Sequence, residues 1–147
     1  MIVRRLELGD EEVLDLIARD EADFDVEGRG KPRAPLAEAE ARAFLSDRDV
    51  LVWIAEEADA VIGFLTCQII RKRAETPELL LYEIGVRAAR RRHGVGRALV
   101  GAMNEWMRAC EVTEVWVLAD NDVAIAFYRA CGFAAPGGVS TYMTRGE

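Results

Sequence analysis

Metal ligands are scarce in this chain: His93 is its only histidine, and its 3 cysteines, Cys67, Cys110 and Cys131, are odd in number and far apart. That spacing argues against a disulfide framework and a CxxC-type site, and no carboxylate cluster has the spacing of a calcium loop. The expectation is no metal, with reduced and mostly buried thiols. Long apolar runs are missing too; none approaches the roughly 18 residues that cross a bilayer. The opening residues Met1–Glu7 turn acidic at once and lack the apolar segment and small residues of a secretory signal. A cytoplasmic protein without a membrane partner is therefore expected. No repeat or linker divides residues 1–147, a length that suits one domain with its own core.

A basic excess is also lacking. Lys+Arg number 19 against 26 Asp+Glu, for a net charge of −7, which disfavours nucleic acid, and no aromatic platform accompanies the basic segment. The distribution says more than the sum. Five arginines (Arg87, Arg90, Arg91, Arg92, Arg97) fall within residues 87–97, and five acids (Asp20, Glu21, Asp23, Asp25, Glu27) within 20–27. These are either solvated faces or an anion-binding and a cation-binding pole.

What is present reads as alternating elements. Residues 2–6 form a strand candidate, and Gly9-Asp10 can cap a helix to about Arg19 with Val13, Leu14, Leu16 and Ile17 on its apolar side. Gly28, Gly30, Pro32 and Pro35 make residues 24–35 a loop, followed by a helix over Leu36–Leu45. Val50–Ala55 and Val61–Ile70 read as a hairpin of two strands, and Leu79–Val86 as a third that is apolar except for Glu83. Val95, Leu99, Met103, Trp106 and Met107 mark an amphipathic helix. Val115–Leu118 is a buried strand. Asn121 caps a last helix, lined by Val123, Ala124, Phe127 and Tyr128 and ended at Cys131-Gly132. Closing strands are expected over Phe133–Thr144. The class is α+β: a single mixed, mostly antiparallel sheet flanked by helices. Trp53, Trp106 and Trp116 suit either core or interface, which leaves a homodimer open.

The chemistry concentrates after the third strand, in Arg91-Arg92-His93-Gly94-Val95-Gly96-Arg97 at the start of a helix. A helix N-terminus offers unpaired N–H groups and positive dipole, glycines admit a ligand closely, and arginines add charge-assisted bonds to a phosphate. A P-loop lacks its Lys-Ser/Thr here, and a Rossmann turn needs a third glycine where Leu99 stands. A pyrophosphate site of the Arg-x-x-Gly-x-Gly type remains.

This turn, together with Asn121-Asp122-Val123-Ala124-Ile125-Ala126-Phe127-Tyr128-Arg129-Ala130-Cys131-Gly132-Phe133 downstream, resembles the GNAT superfamily of N-acetyltransferases over roughly residues 2–144. The resemblance implies acetyl-coenzyme A as co-substrate. Main-chain groups of Ile84 and Val86 would pair with its pantetheine arm, and Arg91, Arg92, His93, Gly94, Val95, Gly96 and Arg97 would hold its pyrophosphate. Asn121 and Tyr128 would lie near the thioester, although Asn121 serves equally as a helix cap. Tyr128, a phenol of ordinary pKa about 10, is the candidate general acid for a thiol of about 8.5; the alternative is a core tyrosine bonded to a carbonyl. Glu83 either faces a cleft as the general base or pairs with Arg71, Lys72 or Arg73. Asp120 and Asp122, at the end of a strand, are candidate contacts for a cationic amine, though an acid in a first helical turn is favourable in its own right. His93 reads as a turn residue.

Within the superfamily, Leu81-Tyr82-Glu83-Ile84-Gly85-Val86, Arg90–Arg92 and Ala119-Asp120 look like the aminoglycoside 3-N-acetyltransferases. An acidic pocket suits such a polycation, and a polyamine as well. A peptide amine, or coenzyme A binding without transfer, are the remaining readings.

Overall fold

A computed structural model describes residues 1–24, 35–138 and 140–146. The β-branched stretches in its middle form β2 (Val50–Glu57) and β3 (Ala60–Ile70), a hairpin turned at Ala58 and Asp59, whose φ angles of 50° and 64° are left-handed. β1 (Ile2–Arg5) pairs antiparallel with β2, and β4 (Glu78–Val86) antiparallel with β3. β5 (Val115–Trp116) joins β4 in parallel, so the order is β1-β2-β3-β4-β5. A parallel neighbour requires a crossover, which α4 (Val95–Ala109) supplies.

β2 and β3 are buried along most of their length, because helices cover both faces. On one face Leu51, Trp53, Leu65, Cys67, Leu79 and Leu81 lie under Val95, Leu99, Met103 and Met107 of α4. On the other, Leu6, Val52, Ile54, Val61 and Phe64 lie under α1 (Glu11–Arg19) and α3 (Glu38–Ser46). Burying each such side chain contributes about 1.5–3 kcal/mol. Trp53 and Trp106 meet edge-on at 6.5 Å and belong to the core, whereas Trp116 is exposed.

α5 (Asp122–Ala130) starts and stops by side-chain chemistry that is visible in its residues. Asn121 Oδ1 accepts the Ala124 N–H at 2.8 Å. At the other end Gly132 is left-handed (φ 94°), its N–H bonds Arg129 O, and the Phe133 N–H bonds Tyr128 O, both at 3.0 Å. That is a Schellman cap, completed by the Tyr128–Phe133 ring contact at 5.4 Å. The Tyr-x-x-x-Gly-Phe spacing is thus a helix stop before it is anything else.

Several expectations need correction. A short helix, α2 (Glu21–Phe24), follows α1, and α3 starts at Glu38 rather than Leu36. Asp10 stands at the N-cap of α1, but its carboxylate binds Arg4 and the Glu7 N–H instead of the helix. β5 stops after two residues, and among the described residues no closing strand follows Phe133; residues 134–138 and 140–146 are exposed. Pro136 has no N–H to donate, and so short a β5 offers little edge to pair with. Of the three cysteines only Cys67 is buried; Cys110 is exposed and Cys131 intermediate. Asp25, Glu27 and most of the expected loop lie outside the described residues. No described helix is long and apolar enough to cross a membrane.

Candidate active site

The strand that carries Glu83 is irregular. Thr66 faces Glu83 and Cys67 faces Leu81, which leaves Tyr82 as an extra residue, a β-bulge. A bulge breaks the alternation and bends its strand; accordingly Tyr82 and Glu83 are consecutive and both exposed. On its other side β4 pairs with β5 only at Leu79 and Leu80. Among the described residues no strand continues along that edge from Tyr82 to Val86. Because the Arg87 N–H bonds Ile62 O across to β3, the alternate residues Ile84 and Val86 aim their main-chain groups at the open edge. The Val86 carbonyl there accepts Arg91 Nε at 3.1 Å.

Past Val86 a single 3₁₀ turn, Ala88–Arg90, leads into the glycine turn and α4. The arginines of this segment divide by what they touch. Arg87 binds Asp20 and Asp23 at 2.8 and 3.0 Å, Arg90 binds Glu57 at 3.0 Å, and Arg91 bonds the carbonyls of Val86 and Asp23. Arg92 and Arg97 have no carboxylate partner among the described residues. The two charge poles expected at 20–27 and 87–97 are therefore partly one ion-pair network. It forms because α2 packs beside the end of β4.

Gly94 is the N-cap of α4 at φ 81°, with no side-chain cap and nothing within 4 Å of a would-be Cβ. The first-turn N–H groups consequently face outward with the positive end of the helix dipole. Arg92 is also left-handed, at φ 64°, and His93 Nδ1 lies 2.8 Å from Arg91 O, a contact that braces the turn. Val95 puts its side chain in the core. Gly96 serves packing: a Cβ there would come within 2.9 Å of the Phe127 ring and 3.9 Å of Ile84. Strand β4, the glycine turn and α5 therefore converge at one place.

At the start of α5, Asp120 and Asp122 are exposed, and Asn121 Nδ2 reaches Asp120 Oδ1 at 3.2 Å. With Oδ1 committed to the cap, the helix-cap role of Asn121 is realised. Tyr128 is 8% exposed, its ring edge-on to Phe127 and Phe133 at 5.3 and 5.4 Å. No described residue bonds its hydroxyl, and no buried side-chain oxygen or nitrogen among them lacks a partner, so the hydroxyl opens onto accessible surface. Burial, with smaller contributions from Cys131 and Cys67, pushes the phenol up to about 12.

Sequence reasoning missed three contributors: the bulge at Tyr82, the Phe127 ring under Gly96, and Arg87 as a structural cation. A surface depression lined by Lys72, Glu75, Thr76, Pro77, Thr113 and Glu114 lies at the opposite end of β4, where Lys72 already pairs with Glu75, Glu78 and Glu114.

The profile of the acetyltransferase (GNAT) family matches residues 13–133. Mycothiol acetyltransferase of Kocuria rhizophila is 33% identical over 103 residues, which is 67% of this chain and 34% of that protein; the chain spans about a third of that relative's length. An aminoglycoside acetyltransferase from an uncultured soil metagenomic sample, solved with trehalose, matches with a TM-score of 0.84 at 25% identity, over 99% of this chain and 96% of that one. The aminoglycoside N-acetyltransferase AAC(6')-Iy in complex with CoA has a TM-score of 0.73 at 19% identity, over 98% and 94% of the two chains. The mixed sheet with its flanking helices is the fold shared with these two solved structures.

Proposed function

The chain belongs to the acetyltransferase (GNAT) family, and on that premise we propose that it transfers an acetyl group from acetyl-coenzyme A to a primary amine of a small polycationic acceptor, an aminoglycoside first among them. One observation carries the reading: the open edge of β4 leads, through one 3₁₀ turn and the glycine turn, to the N-terminus of α4, which no side chain caps. The residues there fit coenzyme A, with main-chain groups for the pantetheine amides and outward N–H groups beside Arg92 and Arg97 for the pyrophosphate. Bound there, acetyl-coenzyme A supplies a thioester carbonyl open to attack by an amine.

Each side chain then has a defined role. Ile84 offers both its N–H and C=O to the edge, and Val86 chiefly its N–H, since Arg91 occupies its carbonyl. Arg91 and His93 shape the turn, while Arg92, Arg97 and the backbone of Gly94–Arg97 meet the phosphates. Glu83 takes a proton from the incoming ammonium. The Tyr128 hydroxyl donates to the departing sulfur. With a phenol at about 12, full transfer to a thiolate of ordinary pKa about 8.5 is uphill by about 5 kcal/mol, so its main effect is a hydrogen bond to the developing charge.

For the acceptor, the exposed carboxylates Glu83, Asp120 and Asp122 favour a polycation, whereas Asp20 and Asp23 are neutralised by Arg87. Aminoglycoside acetyltransferases among the structural relatives support the same class. The 3-N position rests on the β4 run and the arginine triplet, and NMR of the acetylated product tests it. The primary experiment is thiol release from acetyl-coenzyme A with a panel of aminoglycosides, polyamines, peptides and the amine substrate of mycothiol acetyltransferase. Absence of release with every amine overturns the enzymatic reading, and release with peptides alone overturns the aminoglycoside reading.

Two further results are expected. Arg92→Ala and Arg97→Ala should each weaken coenzyme A binding about three- to tenfold, as befits solvent-exposed charge-assisted bonds, and the loss should shrink as salt rises. Calorimetric titration at two ionic strengths checks this; equal affinity at low salt would remove both arginines from the phosphate site. Tyr128→Phe should lower kcat about tenfold with little change in either KM, the signature of an interaction made mainly in the transition state. Steady-state kinetics decide it, and an unchanged kcat would make Tyr128 a core residue only.

A further inference from the structure

Arg87 is the first residue past β4, and its guanidinium is engaged on every side. Nε donates to Val61 O at 2.6 Å, one Nη to Asp23 at 3.0 Å and the other to Asp20 at 2.8 Å, while Cζ lies 4.6 Å above the Phe24 ring. Arg91 adds a bond to Asp23 O at 3.2 Å. All of these except the bond to Val61 converge on α2 and the residue before it. A helix of four residues cannot persist by itself, so these contacts hold it in place.

The place is specific. Phe24 is 3% exposed, meets Phe64 edge-on at 5.3 Å, and presses on Gly85 so closely that a Cβ there would lie 2.9 Å from Phe24 Cβ. Gly85 and Glu83 are two residues apart on the same face of β4, roughly 7 Å along the strand. Ile84 and Val86, between and beyond them, pack on the opposite face with α4. The face that presents Glu83 is therefore the face on which Arg87 fastens α2.

We propose that Arg87 is a positioning residue for acetyl transfer: by clamping α2 onto the end of β4 it sets the wall against which the acceptor amine meets Glu83. The inference rests on the assignment of Glu83 as base. The clamp also neutralises Asp20 and Asp23, which would otherwise draw a polycation to an unproductive position. Lysine cannot replace it, because one ammonium cannot reach a carbonyl, two carboxylates and a ring face together.

The test combines exchange and kinetics on Arg87→Met, Arg87→Lys and Asp20→Asn/Asp23→Asn. Hydrogen exchange at residues 21–24 should rise in each variant while that of β2 and β3 stays protected. The acceptor KM should rise about tenfold or kcat/KM fall correspondingly, a misplacement effect, with the acetyl-coenzyme A KM within about twofold of the parent. Adding Arg87→Met to the double asparagine variant should add little, since the residues act as one unit. Faster exchange at 21–24 with unchanged acceptor kinetics, or equal losses for both substrates, would make the clamp merely structural and overturn the proposal. Unchanged exchange in an active variant overturns the clamp itself. A parent protein inactive toward every amine removes the functional reading and the positioning role with it.

Discussion

Glu83→Gln is expected to slow acetyl transfer about 10²–10⁴-fold near neutral pH, the usual weight of a general base, and to leave acetyl-coenzyme A affinity unchanged. The glutamine keeps the shape and an acceptor oxygen but cannot take a proton. An aliphatic amine of ordinary pKa about 10 arrives protonated at pH 7 and attacks only after losing that proton. Position favours Glu83 as the group that removes it, because the Tyr82 bulge turns it outward beside the open edge of β4, where it is exposed. The pH profile gives a second readout. Without the base, the rate should follow the fraction of free amine and climb about tenfold per pH unit below the amine pKa, so the deficit against the parent narrows toward alkaline pH. A variant as fast as the parent at pH 7 removes Glu83 from the reaction.

How far this site was legible beforehand depends on whether the information is local. The Asn121 cap and the Gly132 stop of α5 are local, and both elements stand where the residues imply. The spacing of Val95, Leu99, Met103 and Met107 likewise specifies which side of α4 meets the sheet. The bulge at Tyr82 is not local: it exists only in the register between β3 and β4. The arginine segment is a sharper case. Five cations in a row of eleven residues look alike in sequence, yet Arg87 is spent on two acids more than 60 residues earlier and Arg90 on Glu57. Tertiary packing alone separates them from Arg92 and Arg97. The absence of closing strands among the described residues has a similar origin, since a strand needs an edge, and the two residues of β5 provide hardly any.

Gly96→Ala should destabilise the protein by about 1–3 kcal/mol, the range for overpacking a filled site. In sequence both glycines of the turn read as room for a ligand, but the structure assigns them different work. A Cβ on Gly94 meets nothing within 4 Å, and that position needs glycine for its φ of 81°. A Cβ on Gly96 would stand 2.9 Å from Cε2 and Cζ of Phe127, a ring already held edge-on by Tyr128 at 5.3 Å and so unable to swing aside freely. The cost should therefore be relieved from the other side: Phe127→Leu removes the ring edge, and in the double variant the penalty of Gly96→Ala should fall below about 1 kcal/mol, a coupling expected only of residues in contact. Urea denaturation of the parent, both single variants and the double variant measures it. Additive losses, or a Gly96→Ala variant of full stability that has lost coenzyme A affinity, would make clearance for the ligand, not the Phe127 ring, the reason for glycine at this position.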